Sequence, residues 1–189
     1  MTMTLQNVRY ELLFESGAVA MLMGFQREAI SSIAAALERF YEFAIEVFTH
    51  IVGVERGTHE QGWKLLRSQS ERQLGAFLLL YLINLRKPRF AGKELSVFEE
   101  WAGFRNKIIH QGRFPSRKET LEYAEFVYNL IRDTKYELIE HYPDSVQQVQ
   151  LRHYARGRST LEEKAGPPQP DKVPKRRGLT ARNDVICFR

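Results

Sequence analysis

The chain has 189 residues, 43% of them hydrophobic and 12% aromatic, which is enough for one well-cored domain and too few for two ordinary ones. The formal net charge of +5 points to a polyanionic partner, yet residues 1–150 carry 18 Lys and Arg against 19 Asp and Glu, while residues 151–189 carry 10 against 4, so a near-neutral body precedes a basic tail. A single cysteine, Cys187, excludes an intrachain disulfide framework, and the longest apolar stretch, Ala76–Ile83, is far too short to span a bilayer.

In chain order, residues 8–23 read as a short helix with Leu12, Leu13, Val19 and Leu22 on a loose apolar face, broken at Gly24. A long helix follows over 26–52. Its apolar positions Ile30, Ile33, Leu37, Phe40, Ala44, Val47, Phe48 and Ile51 step by three and four, and Glu38, Arg39, Glu42 and Glu46 take the other side. Thr58, with Gln61 three residues on, predicts the start of a third helix running through Trp63, Leu66, Leu74, Phe77 and Tyr81 to about Leu85. Pro88 and Gly92 mark a connection, and a fourth helix spans about 94–111. Pro115-Ser116 opens a last long helix with Leu121, Tyr123, Ala124, Val127, Tyr128, Ile131 and Leu138 on its face. Pro143 kinks or ends it, and 145–154 resume it. No segment alternates like a strand. The expectation is an all-α, antiparallel bundle of four to five helices over residues 1–155. Beyond it, Gly157, Gly166, Pro167, Pro168, Pro170 and Pro174 preclude a packed element, so 156–189 reads as a disordered tail. Its cluster Lys172, Lys175, Arg176 and Arg177 either attaches nucleic acid non-specifically or serves no specific purpose.

The chemistry concentrates in Arg105-Asn106-Lys107-Ile108-Ile109-His110, followed by Gln111-Gly112. A fixed cation, a side-chain amide and a base that titrates near neutral pH are sufficient to handle a phosphodiester. At about 100° per residue, Val97, Trp101, Phe104 and Ile108 form one apolar stripe, widened by Phe98 and Ile109. Arg105 falls inside that stripe, so its guanidinium needs a partner or an anion. Asn106 and His110, four apart, share a different face. Gly112 suits the helix C-terminus, whose negative end favours a protonated imidazole. A plainer reading pairs Arg105 with a glutamate of a neighbouring helix and leaves His110 as a helix-end residue without chemistry.

Residues 86–118 hold nine basic side chains against Glu94, Glu99 and Glu100, and this segment brackets the motif. Arg86, Lys87, Arg89, Lys107, Arg113, Arg117 and Lys118 are therefore candidate RNA contacts, or else solvated loop charges. No P-loop, G-x-G-x-x-G or G-x-S-x-G is present, and no two of the histidines stand at metal-ligand spacing, so neither a metal nor a cofactor is expected. Glu11 and Glu15 interrupt what a signal peptide would need, which with the lone cysteine fits a cytoplasmic protein.

Arg105-Asn106-x-x-x-His110, late in an all-helical domain, resembles the R-x4-6-H signature of the HEPN domain family, and the order of helices extends the resemblance over roughly residues 8–152. It implies a metal-independent endoribonuclease, often a toxin or a phage-defence effector, that dimerises to place two motifs in one cleft. The catalytic residues it implies are Arg105, Asn106 and His110. An antitoxin protein is the partner it implies for a toxin. It equally implies a second outcome, a non-catalytic module that binds RNA, nucleotide or protein. A solely structural adaptor, with the 26–52 helix as its partner face, is a third.

Overall fold

A computed structural model describes residues 8–165, with the side chains of residues 8–155. Every regular element among them is a helix: α1 (Arg9–Leu22), α2 (Gln26–Ile51), α3 (Arg56–Leu66), α4 (Ser70–Leu85), α5 (Lys93–Gln111), α6 (Arg117–His141) and α7 (Pro143–Ala165). The all-α bundle read from the sequence is therefore what forms, with seven helices in place of four to five.

The axis of the bundle is α2, which touches each of the other helices. Its burial runs all the way round rather than along one stripe: Ile30, Ile33, Phe40, Phe43, Val47 and Phe48 are sealed from solvent on successive faces. The side expected to be polar is enclosed as well. Glu46 is 3% exposed and is held by His153 of α7 at 3.1 Å and Arg152 at 3.9 Å. A buried carboxylate without such partners would be costly, so this contact ties α7 to the core helix. His50 Nδ1 adds a second tie to Ser145 Oγ at 3.1 Å.

The face of α1 differs from the expected one. Tyr10 and Gly17 are buried and Phe14 packs against the core, whereas Val19 is 59% and Leu22 75% exposed. The reason is Gly17. A Cβ placed there would lie 2.6 Å from Ile33 Cγ1 and 3.1 Å from the Ala29 carbonyl oxygen, so the absent side chain is what lets the α1 and α2 backbones close up. The turn between them passes through Gly24 at φ +85°. Gly17→Ala gains helix propensity, roughly 1 kcal/mol, but overpacks this crossing. The expected net result is a destabilisation of about 1–2 kcal/mol, read as a lower denaturant midpoint with an unchanged slope.

The single helix expected over 58–85 is two. Between Leu66 and Leu74 the chain offers no apolar residue, so nothing holds one straight helix against the core. Gln69 is extended at φ −139°, ψ 125°. The break is sealed from inside by Gln73, 2% exposed, whose Nε2 donates to the Arg67 carbonyl at 3.0 Å. Helix α3 starts at Arg56 with Glu55 as its N-cap residue, so Thr58 is inside it and is not the cap.

At α6 the start is as expected. Ser116 Oγ accepts from the Glu119 N–H at 3.2 Å, and Glu119 accepts from the Ser116 N–H at 2.8 Å, a reciprocal capping box. These bonds hold the Glu119 carboxyl below the usual range. The inward face is Thr120, Tyr123, Val127, Leu130, Thr134 and Leu138; Leu121 and Tyr128 point outward. Pro143 neither kinks nor interrupts a helix but opens α7 at its first position, where a missing N–H costs nothing. The helix continues past Gly157 to Ala165, beyond the boundary expected at 155. The expected tail from Gly166 onward, with its basic cluster, lies outside the described residues.

Candidate functional site

Helix α5 carries the motif. Phe104 and Ile108 anchor it in the core, Trp101 and Phe98 are partly buried, and Val97, expected in the stripe, is 38% exposed at a groove against α6. Gly112 closes the helix in the left-handed conformation at φ +72°.

Arg105 points inward. Its Nη2 donates to Glu38 Oε1 of α2 at 2.7 Å, and its Nη1 donates to Asn106 Oδ1 at 2.9 Å, with the guanidinium side chain 20% exposed. Asn106 and His110 are exposed. Five residues along a helix amount to roughly 140° of rotation, so Arg105 and His110 leave α5 in divergent directions, while Asn106 lies about 40° from His110 and bridges the two sides. The glutamate of the plainer sequence reading is thus identified as Glu38, and it neutralises Arg105 in the chain by itself. An approaching phosphate has to share Arg105 with Glu38 or displace it.

Three of the other described histidines hold the fold, while His141 is exposed at the end of α6. His50 meets Ser145 and His153 meets Glu46, each at 3.1 Å; Thr49 Oγ1 lies 2.9 Å from His59 Nδ1. His110 is likewise exposed, at the end of α5. Among the described residues, no three of His, Cys, Asp and Glu gather as metal ligands, and no helix is long and apolar enough to cross a membrane.

The seven candidate basic residues do not form one patch. Arg86, Lys87 and Arg89 precede the N-terminus of α5, and Lys107, Arg113, Arg117 and Lys118 gather near its C-terminus, with about 28 Å of helix between the two ends. Several are already engaged. Lys87 pairs with Glu137 at 2.7 Å, Arg113 with Glu119, and Lys118 with Glu122 at 3.8 Å. Arg89 Nε donates to Thr134 Oγ1 at 2.9 Å with its guanidinium 5.0 Å from the Phe90 ring centre. Burial acts to raise the Glu137 carboxyl, but hydrogen bonds from Lys87 and Tyr81 outweigh it and it titrates below the ordinary range. Lys107 and Arg117 are exposed, and the group nearest His110 shares its surface with Glu99, Glu100 and Glu122.

Beside the Arg105–Glu38 pair, the walls of α2, α4, α5 and α6 enclose a groove of about 160 Å³. Arg105 and Asn106 open into it; His110 is not among its walls. Its remaining polar members, Glu38, Tyr41, Ser70, Glu71 and Tyr123, escape sequence reading as a group because α2, α4 and α6 meet α5 only through the fold. The periodicity marks Glu38 as an outer residue of α2, and the one available clue is that a guanidinium on an apolar stripe demands a carboxylate from elsewhere.

Comparison with known proteins finds no matching family model, no matching curated protein and no matching solved structure.

Proposed function

We propose that this chain is a metal-independent endoribonuclease of the HEPN kind, with Arg105, Asn106 and His110 as its site. The observation that supports it most is the fixing of Arg105 by two hydrogen bonds, to Glu38 and Asn106, directly beside an exposed Asn106–His110 face. A guanidinium held in place needs little reorganisation to stabilise charge that develops on a phosphorane. In the reaction, His110 takes the proton of an RNA 2′-hydroxyl as its oxygen bonds to the adjacent phosphorus. The bond from phosphorus to the 5′-oxygen breaks, and that oxygen leaves with a proton from an imidazolium. The products carry a 2′,3′-cyclic phosphate and a 5′-hydroxyl. Asn106 acts on Arg105 by accepting its Nη1–H, and this sets the plane of the guanidinium.

The divergence of Arg105 and His110 on α5 accords with a dimer, in which a second copy brings its own motif to the same cleft. Lys107 is the best placed of the basic residues for flanking phosphates, being exposed one helical turn before His110. A toxin restrained by an antitoxin protein, or a phage-defence effector, is the setting that suits such an activity. The test is cleavage of RNA by the purified full chain in EDTA, beside an RNA of the same sequence with 2′-deoxy linkages. Cutting confined to the ribose linkages is expected; cutting of both, or loss of cutting in EDTA, overturns the mechanism.

One observation favours a second reading, a binding module without turnover: Glu38 already neutralises Arg105 at 2.7 Å. In that case His110→Ala leaves a bound RNA or nucleotide intact, as no product is made by either protein.

A further inference from the structure

Helix α4 presents to the outside a face that a chain by itself has no use for. From Leu74 to Leu85 no residue carries a charge. The helix packs mainly against α2, where Phe77 meets Tyr41 and Tyr81 meets Phe48. Its outer side leaves Leu79 58%, Leu82 46% and Ile83 46% exposed. Apolar surface left in water is unfavourable, and a contiguous stretch of it marks a contact. Gly75 sits in the same stripe. A Cβ there would meet nothing within 4 Å, so the packing of the chain does not require a glycine. In a helix interior a glycine costs stability relative to alanine. At Gly17 the missing side chain lets α2 close on α1; at Gly75 the same hollow faces outward.

The ends of the stripe point to what covers it. Glu71, Gly75, Leu79, Leu82 and Arg86 follow one another at steps of four and three, so they lie along one side of the helix, and all five are exposed. Neither the Glu71 carboxylate nor the Arg86 guanidinium has an ion pair or a hydrogen bond among the described residues. An anion at one end, a cation at the other and apolar residues between them make a stripe complementary to its own reverse. Laid antiparallel on a second copy, about a twofold axis beside Leu79, Glu71 faces Arg86 and Gly75 faces Leu82. By symmetry each contact occurs twice. An apolar centre with charged groups at its rim is also the anatomy of contacts between copies. A partner of another sequence gives no reason for the two charges to stand at mirrored positions.

We infer that the outer face of α4 is the surface on which two copies of this chain pair antiparallel, with Leu82 of each seated over Gly75 of the other. Glu71 also lines the groove that holds Arg105 and Asn106. The pairing therefore carries Arg86 and Lys87 of the second copy to the mouth of that groove. Within one chain these cations stand at the other end of α5 from His110. The contribution to the site deepens the nuclease reading and rests on it; the pairing face does not.

Sedimentation equilibrium of the full chain tests the face, with RNA cleavage followed in the same preparations. A species of twice the chain mass is expected. Leu79→Glu, which sets two carboxylates beside the axis, weakens the association about 30-fold or more, as loss of a central contact does. Gly75→Gln fills the hollow and weakens it likewise, and it leaves the circular dichroism of the chain as it was, since the space is open. Glu71→Arg weakens it through like charge, and adding Arg86→Glu to that variant restores it. A chain that stays single at every concentration, or a dimer that none of these substitutions weakens, overturns the face. A charge swap that fails to restore the dimer overturns the antiparallel pairing. The nuclease fails separately. Dimers broken by Leu79→Glu, with no cleavage of RNA by the parent, leave the face standing and remove the nuclease, whereas His110-dependent cleavage by a single chain removes the face alone.

Discussion

His110→Ala lowers RNA cleavage by about 10²–10⁴-fold, the range contributed by a positioned general acid or base, and leaves the fold as it is. His110 is exposed and has no part in the core, so its circular dichroism and denaturant midpoint stay those of the parent. Arg105→Ala costs about 10²–10³-fold, as expected for loss of one preorganised donor to a developing oxyanion. It also strips Glu38 of its partner. Arg105→Lys does not restore the rate, because one ammonium cannot reproduce the planar fork that bonds Glu38 and Asn106 together. The assay is single-turnover cleavage of total RNA in EDTA. Activity within a fewfold of the parent in His110→Ala would remove the imidazole from the mechanism.

The protein loses stability steeply in alkali, beginning near pH 10. Tyr10, Tyr41, Tyr81 and Tyr123 all have phenol pKa values raised in the fold, each chiefly by burial. A hydrogen bond to Glu137 adds to the effect at Tyr81. The sign follows from proton counting. Below the unfolded phenol value of about 10, both states keep the proton and stability does not depend on pH. Above it the unfolded chain releases protons that the folded chain retains, so unfolding is favoured as pH rises. Each tyrosine contributes about 1.4 kcal/mol per pH unit, and four together about 5 kcal/mol per unit. Denaturant midpoints at pH 8, 10 and 11, with phenolate absorbance followed through each transition, check it. The four phenolates are expected to appear with unfolding; their titration near pH 10 in a protein that stays folded would show that burial does not protect them.

Much of the architecture was legible because helical periodicity is a local signal. The steps of three and four in α2, Ser116 with Glu119 at the head of α6, and Gly112 at the end of α5 each depend on a few neighbouring residues, and each is found where the sequence puts it. What was hidden depends on partners from elsewhere in the chain. The exposed Val19 and Leu22 read as apolar face, while the true face of α1 is set by a glycine whose value lies in what it lets approach. The break before α4 shows as a gap in apolar spacing, but the buried Gln73 that seals it does not. At the site the local part was accessible: an arginine on an apolar stripe, an amide and an imidazole on the next face. Which carboxylate meets Arg105, and that the core residue Tyr41 also borders a groove, are properties of α2 lying against α5. Nine cations within 33 residues likewise suggested one patch, and the length of a straight helix divides them.

The discontinuity between α3 and α4 also sets how the molecule opens. Helix α3 contains no buried residue, and its contacts include the partly buried Trp63, the hydrogen bond between His59 and Thr49, and one from Arg72 of α4 to the Leu65 carbonyl. Its amides should therefore exchange with solvent deuterium well before those of α2, whose opening requires the whole bundle to come apart. Because α4 begins where α3 stops, the first turn that carries Glu71 is covalently next to the least protected helix. Slow exchange in α3, matching α2, would mean the two helices open as one cooperative unit; fast exchange makes the rim of the groove the place where the protein breathes.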